Sequence, residues 1–440
     1  MDRPTRRLPS SVFAYEAGVL TLEGVSLAAI AEAVGTPFYV YSAGRLRERY
    51  RALATALAPF DVDIHFAAKA NSNRAVLAVL AAEGAGADIV SGGELARALS
   101  SGIPAAKVVF SGVGKTEDEI AAALRAGIHQ INAESYEELH LIDRIAGELG
   151  LVAEVALRIN PDVDAETHAK ITTGKKDNKF GIDADRLARL DNEVKGLANL
   201  KIVGLAMHIG SQILSAKPFL AAYGRIAELT RELRGRGFDI QRLDLGGGFG
   251  VPYENELEFS FDDLAAAIRT TVGDLGCRLS VEPGRSLVAD AGVLVSRVTL
   301  VKDASPMQFA VLDAAMNDLV RPAMYDSHHD IVPVKEPVAG VQAVEYDVVG
   351  PICESSDTFA KRRKMPPVAA GDLVVLATAG AYGATMSSTY NSRALIPEVL
   401  VDAGRFAVVR RRVTIEEQMG WERLPDWAAA PALSGSRAAE

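Results

Sequence analysis

Cysteine is nearly absent. The 440-residue chain holds only Cys277 and Cys353, so a disulfide framework cannot hold its fold together. That scarcity reads as a reducing compartment, and a cytoplasmic location is the expectation. Proline is sparse at 19 residues, which excludes collagen-like and proline-rich structure. No uninterrupted apolar stretch is long enough to span a bilayer. The basic start Met1-Asp2-Arg3-Pro4-Thr5-Arg6-Arg7 continues without the apolar core of an export signal. Positive charge is also short: the formal net charge is −10, and no lysine and arginine run stands beside aromatics to follow a phosphate backbone. Neither a membrane nor nucleic acid is therefore an expected partner. What the chain does have is apolar residues, 49% against 24% charged, enough for a large core.

Between residues 63 and 284, short strand-like apolar runs alternate with longer segments rich in alanine and leucine, the pattern of a parallel sheet. Eight runs can be counted, starting near Ile64, Ala87, Val108, Gln130, Val155, Gly204, Arg242 and Leu279. Eight is the number of a (β/α)8 barrel of the TIM type, with an open doubly wound sheet as the alternative. Thr116 with Glu119 reads as a helix cap, and Lys217 to Leu233 as a long helix. After Gly284 the pattern turns to period-two β segments such as Gly292 to Val301 and Asp372 to Leu376. The predicted organisation is α/β: a barrel over 36–285, a mostly β domain (sandwich or barrel-like) from 1–35 plus 286–425, and a flexible tail over 426–440.

Most strand-like runs end in residues able to do chemistry: Lys69, Ser91, Ser111, Asn160, His208, Gly246 and Glu282. In a barrel those ends form the active face. Lys69 follows Phe66-Ala67-Ala68, so its amine would emerge from an apolar strand end. Desolvation there would lower the amine pKa, as a Schiff-base lysine needs, and a snorkelling lysine is the plainer alternative. Asp244-Leu245-Gly246-Gly247-Gly248-Phe249-Gly250 closes the seventh run, where barrels commonly bind phosphate. It lacks the lysine-serine ending of a nucleotide P-loop, so the phosphate would belong to a cofactor. Glu282-Pro283-Gly284-Arg285 puts a carboxylate and a guanidinium beside that loop, with a structural ion pair as the alternative. A lysine, a phosphate loop and a carboxylate on one barrel face are what pyridoxal phosphate requires. His208 and Ser211 come from the sixth strand end. Arg321, Tyr325 and Tyr382 add groups suited to anion recognition, and Cys353 with Glu354 places a thiol beside a carboxylate. The pair His328-His329 lacks the helical spacing of a zinc site, so no metal is assigned.

Taken together, Phe66-Ala67-Ala68-Lys69-Ala70-Asn71, His208-Ile209-Gly210-Ser211-Gln212, Gly246-Gly247-Gly248, Glu282-Pro283-Gly284-Arg285, Cys353-Glu354-Ser355-Ser356-Asp357 and Met386-Ser387-Ser388-Thr389-Tyr390-Asn391-Ser392-Arg393 resemble the pyridoxal-phosphate decarboxylases with an alanine-racemase-like barrel. The resemblance spans almost the whole chain. It also takes in Thr167-His168 through Thr173-Gly174 to Lys179-Phe180-Gly181-Ile182, a polar stretch suited to an active-site lid. Departures are Phe66 where tyrosine is frequent, and Cys353-Glu354-Ser355-Ser356 where Ser-Gly is commoner.

The resemblance implies that Lys69 holds pyridoxal 5'-phosphate, that Glu282 pairs with its ring nitrogen, and that His208 stacks on the ring. It implies a phosphate site of Ser211, Gly247, Gly248 and Tyr382, with Gly284 and Arg285 beside it. Arg285, Arg321 and Tyr325, with Tyr382, would take a substrate's distal carboxylate and Glu354 its distal ammonium, while Cys353 would supply a proton. Cys353 and Glu354 would enter from the second subunit of a homodimer with shared sites. A glutamate at the ring nitrogen favours decarboxylation over racemisation, since racemases of this fold place an arginine there. The implied reaction is decarboxylation of meso-2,6-diaminopimelate to L-lysine and CO2, the last step of lysine biosynthesis. Relatives acting on ornithine, lysine, arginine or a carboxylated polyamine are the alternative.

Overall fold

The computed structural model describes residues 10–161, 163 and 179–428. The Thr167 to Gly174 part of the expected lid, and the expected tail beyond residue 428, lie outside the described residues. Eight parallel strands, Val62–Ala67, Gly86–Ile89, Val108–Phe110, Gln130–Ala133, Ala153–Asn160, Leu200–Ala206, Arg242–Asp244 and Arg278–Val281, follow one another around a barrel. The last pairs with the first through Leu279↔Val62 and Val281↔Ile64, so the sheet closes and has no edge. The doubly wound alternative is thereby excluded. The strands are almost wholly buried, which explains their continuous apolar runs.

Side-chain caps start several of the barrel helices, the one expected at Thr116 among them. Thr116 and Glu119 form a reciprocal capping box, and Ser91 and Ser135 each accept from the backbone three residues on. The long helix runs Lys217–Gly235.

Gly292–Ala304 is the spine of the β domain: Phe38–Ser42 and Leu373–Leu376 flank its first half on opposite sides, and Met307–Leu312 pairs with its second half. Phe38–Ser42 also pairs in parallel with Glu398–Asp402. Residues 38–42, assigned to the barrel from sequence, therefore run inside the β domain, and the chain enters the barrel through the helix Ala43–Leu57. Tyr39 and Tyr41 fix this strand from within, donating to the Asp318 carbonyl (2.6 Å) and to Glu398 Oε2 (2.5 Å). The N-terminal strands Phe13–Glu16, Val19–Leu22 and Val25–Ser26 form a small sheet against the same domain, where Leu20 N donates to the Val334 carbonyl at 2.7 Å. Among the described residues no helix is long and apolar enough to cross a membrane.

The two domains meet at the C-terminal ends of the barrel strands. Asn71 Nδ2 donates to the Gly380 carbonyl (3.0 Å) and Tyr382 N to the Ala70 carbonyl (2.8 Å), which carries Tyr382 to the lysine strand end.

Inside the barrel lies a group with consequences for stability. His65 is 2% exposed, its Nδ1 has no hydrogen-bond partner, and its ring is 5.8 Å from that of His129. Burial, then His129, push its pKa down to about 3. The unfolded chain takes up this proton near 6.5 and the folded one only near 3, so the group's effect on stability is favourable above 6.5 and lost as pH falls between these values. Replacing His65 with leucine should make the fall of the unfolding free energy, measured by urea titration between pH 6.5 and 4.5, shallower by up to about 1.4 kcal/mol per pH unit. An unchanged slope would show that other groups set the acid limb.

Candidate active site

A cavity of about 830 Å3 opens where the barrel's strand ends face the β domain. Lys69, His208, Ser211, Gly248, Glu282, Gly284, Arg285, Arg321, Tyr325 and Tyr382 all line it. Ten of the thirteen residues singled out from sequence thus share one cavity. Gly247 is the chain neighbour of the lining Gly248, while Cys353 and Glu354 do not line the cavity.

Lys69 sits on a short 3-10 turn after the first strand, its Nζ 3.3 Å from Asp88 Oδ2. Its side chain is 37% exposed, whereas that of Asp88 is fully buried. Burial works against the ammonium, but Asp88, then Tyr382 and Glu282, more than offset it and hold the pKa above the usual lysine value. The expected lowering is therefore corrected: a carboxylate at ion-pair distance outweighs desolvation, so the amine is stored charged until Asp88 is neutralised or a ligand displaces it.

Glu282 is 6% exposed and accepts from the Ser111 hydroxyl at 3.2 Å. Asn132 Nδ2 donates to Ser111 Oγ (3.1 Å) and to Asp244 Oδ2 (2.9 Å), and Gly246 N donates to Asp244 Oδ1 (3.0 Å). Glu282 and Asp244 are close enough to act on one another electrostatically. Burial, then the neighbouring Asp244 and Asp88, push the Glu282 carboxyl well above the usual range.

The glycine loop crosses this floor so closely that a Cβ at Gly247 would lie 1.9 Å from the Glu282 carbonyl oxygen. Gly248 has φ +100°, where side chains are strained. Phe249 anchors the loop, packing on Phe219 and Phe259 with centroids 5.2 Å away in both cases. Gly247 N donates to His208 Nδ1 at 3.3 Å. Burial, then Lys69, keep His208 well below the usual histidine pKa, so the ring is neutral with its proton on Nε2.

On the β-domain side stand two buried arginines. Arg285 donates to the Tyr253 hydroxyl (2.7 Å) and to Ser211 Oγ (3.1 Å), lies 4.9 Å from the Tyr382 ring, and leaves its Nε without a hydrogen-bond partner. Arg321 lies 4.5 Å from the Tyr253 ring and donates to Ser327 Oγ at 3.2 Å. They are 7% and 5% exposed. Among the described residues neither has a carboxylate within ion-pair distance. Burial would raise the Tyr253 hydroxyl, but Arg285 and Arg321 bring it below its usual value.

Residues 43–289 match the family model for the pyridoxal-binding domain of pyridoxal-dependent decarboxylases. The chain is 49% identical over 412 residues to the diaminopimelate decarboxylase of Pseudomonas aeruginosa, covering 94% of this chain and 99% of that protein. It is 46% identical to that of Zymomonas mobilis over 420 residues, again covering 94% and 99%. The crystal structure of diaminopimelate decarboxylase from M. jannaschii in complex with L-lysine superposes with a TM-score of 0.90 at 34% identity, covering 96% of this chain and all of that one. The chain belongs to the diaminopimelate decarboxylase family. The family's cofactor is pyridoxal 5'-phosphate, and the residues fit it. Three buried carboxylates, Asp88, Asp244 and Glu282, stand near Lys69, a surplus of acid suited to a ligand with a protonated ring nitrogen. The glycine cradle, which has no room for side chains, suits its phosphate.

Four further residues in or beside the cavity are not singled out as site residues by sequence reasoning. Arg158 donates to Glu134 at 2.6 Å beneath the Phe180 ring. Asp88 is visible in the sequence only as a charge in the middle of an apolar strand. Tyr253 has no signal of its own, being an ordinary loop residue, and His329 stands out in the sequence only as half of a histidine pair without zinc-site spacing. Cys353 and Glu354 are exposed: Cys353 N donates to Asn391 Oδ1 (3.1 Å), and Glu354 is held by the hydroxyls of Ser356 (2.5 Å) and Tyr390 (2.8 Å).

Proposed function

We propose that the protein decarboxylates meso-2,6-diaminopimelate to L-lysine and CO2. The observation that carries this reading is the pair Arg285 and Arg321, buried without a carboxylate among the described residues. A buried guanidinium lacking a counter-charge is costly, and a substrate with a carboxylate at its far end supplies one. A diamine acid held by its only carboxylate-bearing carbon would leave Arg321, which lies away from the phosphate site, uncompensated.

Bound at Lys69, pyridoxal 5'-phosphate supplies an electron sink for the pair of electrons left when CO2 departs. The chain's own groups do the rest. Glu282 keeps the ring nitrogen's proton in place, and His208 offers a neutral imidazole face. Ser211, Gly247, Gly248, Gly284 and Tyr382, with Arg285 beside them, hold the phosphate. Arg285, Arg321 and Tyr325 fix the distal carboxylate.

The protein acts as a homodimer in which a second copy brings Glu354 to the substrate's distal ammonium and the Cys353 thiol to the carbon that needs a proton. The exposure of both residues, away from the cavity of their own chain, supports this arrangement. A cytoplasmic setting suits a thiol that must stay reduced.

The test is CO2 release by the cofactor-loaded protein from meso-diaminopimelate, its LL isomer, ornithine, lysine and arginine. Release from the meso isomer with L-lysine as product is expected. In the same assay Arg321→Ala should raise KM for meso-diaminopimelate by about tenfold to a hundredfold. Release from ornithine or arginine instead would move the function to the diamine acids.

A further inference from the structure

The side chains of the adjacent histidines His328 and His329 point apart. His328 stays at the rim, with Nε2 2.8 Å from Asp330 Oδ1 and Arg363 Nη2 3.1 Å from Nδ1. His329 is 1% exposed and lies against Arg321. Its Nδ1 is 2.7 Å from the Ala377 carbonyl oxygen, which can only accept, so Nδ1 carries the proton. Its Nε2 is 2.9 Å from Arg321 Nη1, which can only donate, so Nε2 presents a lone pair. Two neighbours with no freedom of role thus fix one neutral tautomer. The ring also meets Tyr253 edge-on, centroids 5.5 Å apart at 78°.

Arg321 is therefore held by the His329 lone pair, the Ser327 hydroxyl and the Tyr253 face, none of which is a carboxylate. An aspartate or glutamate in the place of His329 would aim the guanidinium equally well, but it would neutralise the charge and compete with an incoming anion. A neutral acceptor gives direction and leaves the positive charge unspent. We propose that His329 is the positioning residue that makes Arg321 a receptor for the substrate's distal carboxylate, acting as a neutral acceptor that orients the guanidinium without neutralising it. This rests on the reading of Arg285 and Arg321 as the carboxylate site.

Two amines separate the contributions. L-Lysine and 1,5-diaminopentane differ by one carboxylate, and the binding of each to the cofactor-loaded protein can be followed by visible absorption. His329→Asn keeps a donor for Ala377 but cannot reach Arg321, whereas His329→Gln can place an amide oxygen near the Nε2 position. His329→Asn should weaken L-lysine about tenfold or more and leave 1,5-diaminopentane within about threefold. His329→Gln should recover most of the loss. With meso-diaminopimelate, His329→Asn should raise KM more than it lowers kcat. If His329→Asn weakens both amines equally, or neither, while Arg321→Ala still separates them, the positioning role is wrong and the carboxylate site stands. If Arg321→Ala also affects both amines alike, the carboxylate site itself falls, and the proposal with it. Should the variants not fold, nitrogen NMR of labelled histidine in the unsubstituted protein decides: a proton on Nε2 of His329 at neutral pH overturns the proposal, and one on Nδ1 supports it.

Discussion

Lys69→Ala and Cys353→Ala, each nearly inactive alone, should regain up to about a quarter of the unsubstituted activity when mixed and allowed to exchange subunits. Random pairing makes half of the dimers mixed, and each mixed dimer has one of its two sites built from intact residues. The expectation follows from where the fold puts these groups. Lys69 lines the cavity beside Asp88, while Cys353 stands exposed on the β domain and does not line it. A site that needs both must draw them from two chains. CO2 release from the mixture is the measurement, and a mixture no more active than its parts would place both groups in one subunit or remove Cys353 from the reaction.

Glu282→Gln should lower kcat by about a hundredfold to a thousandfold with a much smaller effect on cofactor binding. The carboxyl lies in a buried acid pair with Asp244, at the end of a relay through Ser111 and Asn132. An amide of the same shape keeps a hydrogen bond to Ser111 but cannot carry the negative charge that holds a proton on a ring nitrogen. The electron sink then weakens while the glycine cradle and Lys69 still retain the cofactor. Single-turnover CO2 release and equilibrium binding of pyridoxal phosphate separate the two effects. Equal loss in both would mean that Glu282 serves mainly to shape the floor beneath Gly247, whose close approach to the Glu282 backbone would transmit any shift.

The eight runs are readable along the chain because parallel barrel strands are buried on both faces and leave continuous apolar stretches. Their terminal residues are readable too, since closure of eight parallel strands puts every C-terminal end on one face. That is why Lys69, His208 and Glu282, far apart in sequence, can be gathered into one site from the order of residues alone. Phe38–Ser42 misleads because a five-residue apolar strand looks the same whether it opens a barrel or enters a neighbouring sheet. Its partners, Gly292–Ala304 and Glu398–Asp402, lie more than 250 residues away.

Local periodicity and strand ends of known direction are enough to define the barrel, its glycine loop and most of the residues that line the cavity. How those groups are charged and aimed comes from the folded arrangement. Lys69 is held protonated because Asp88 from the adjacent strand comes within 3.3 Å, a distance fixed by strand register and side-chain packing. Glu282 has its pKa raised by burial and because the seventh and eighth strands bring Asp244 near it. Tyr253 and His329 acquire their roles from the meeting of two domains around Arg285 and Arg321. Electrostatic interactions depend on distance and burial in three dimensions, and neither quantity is written in the order of residues.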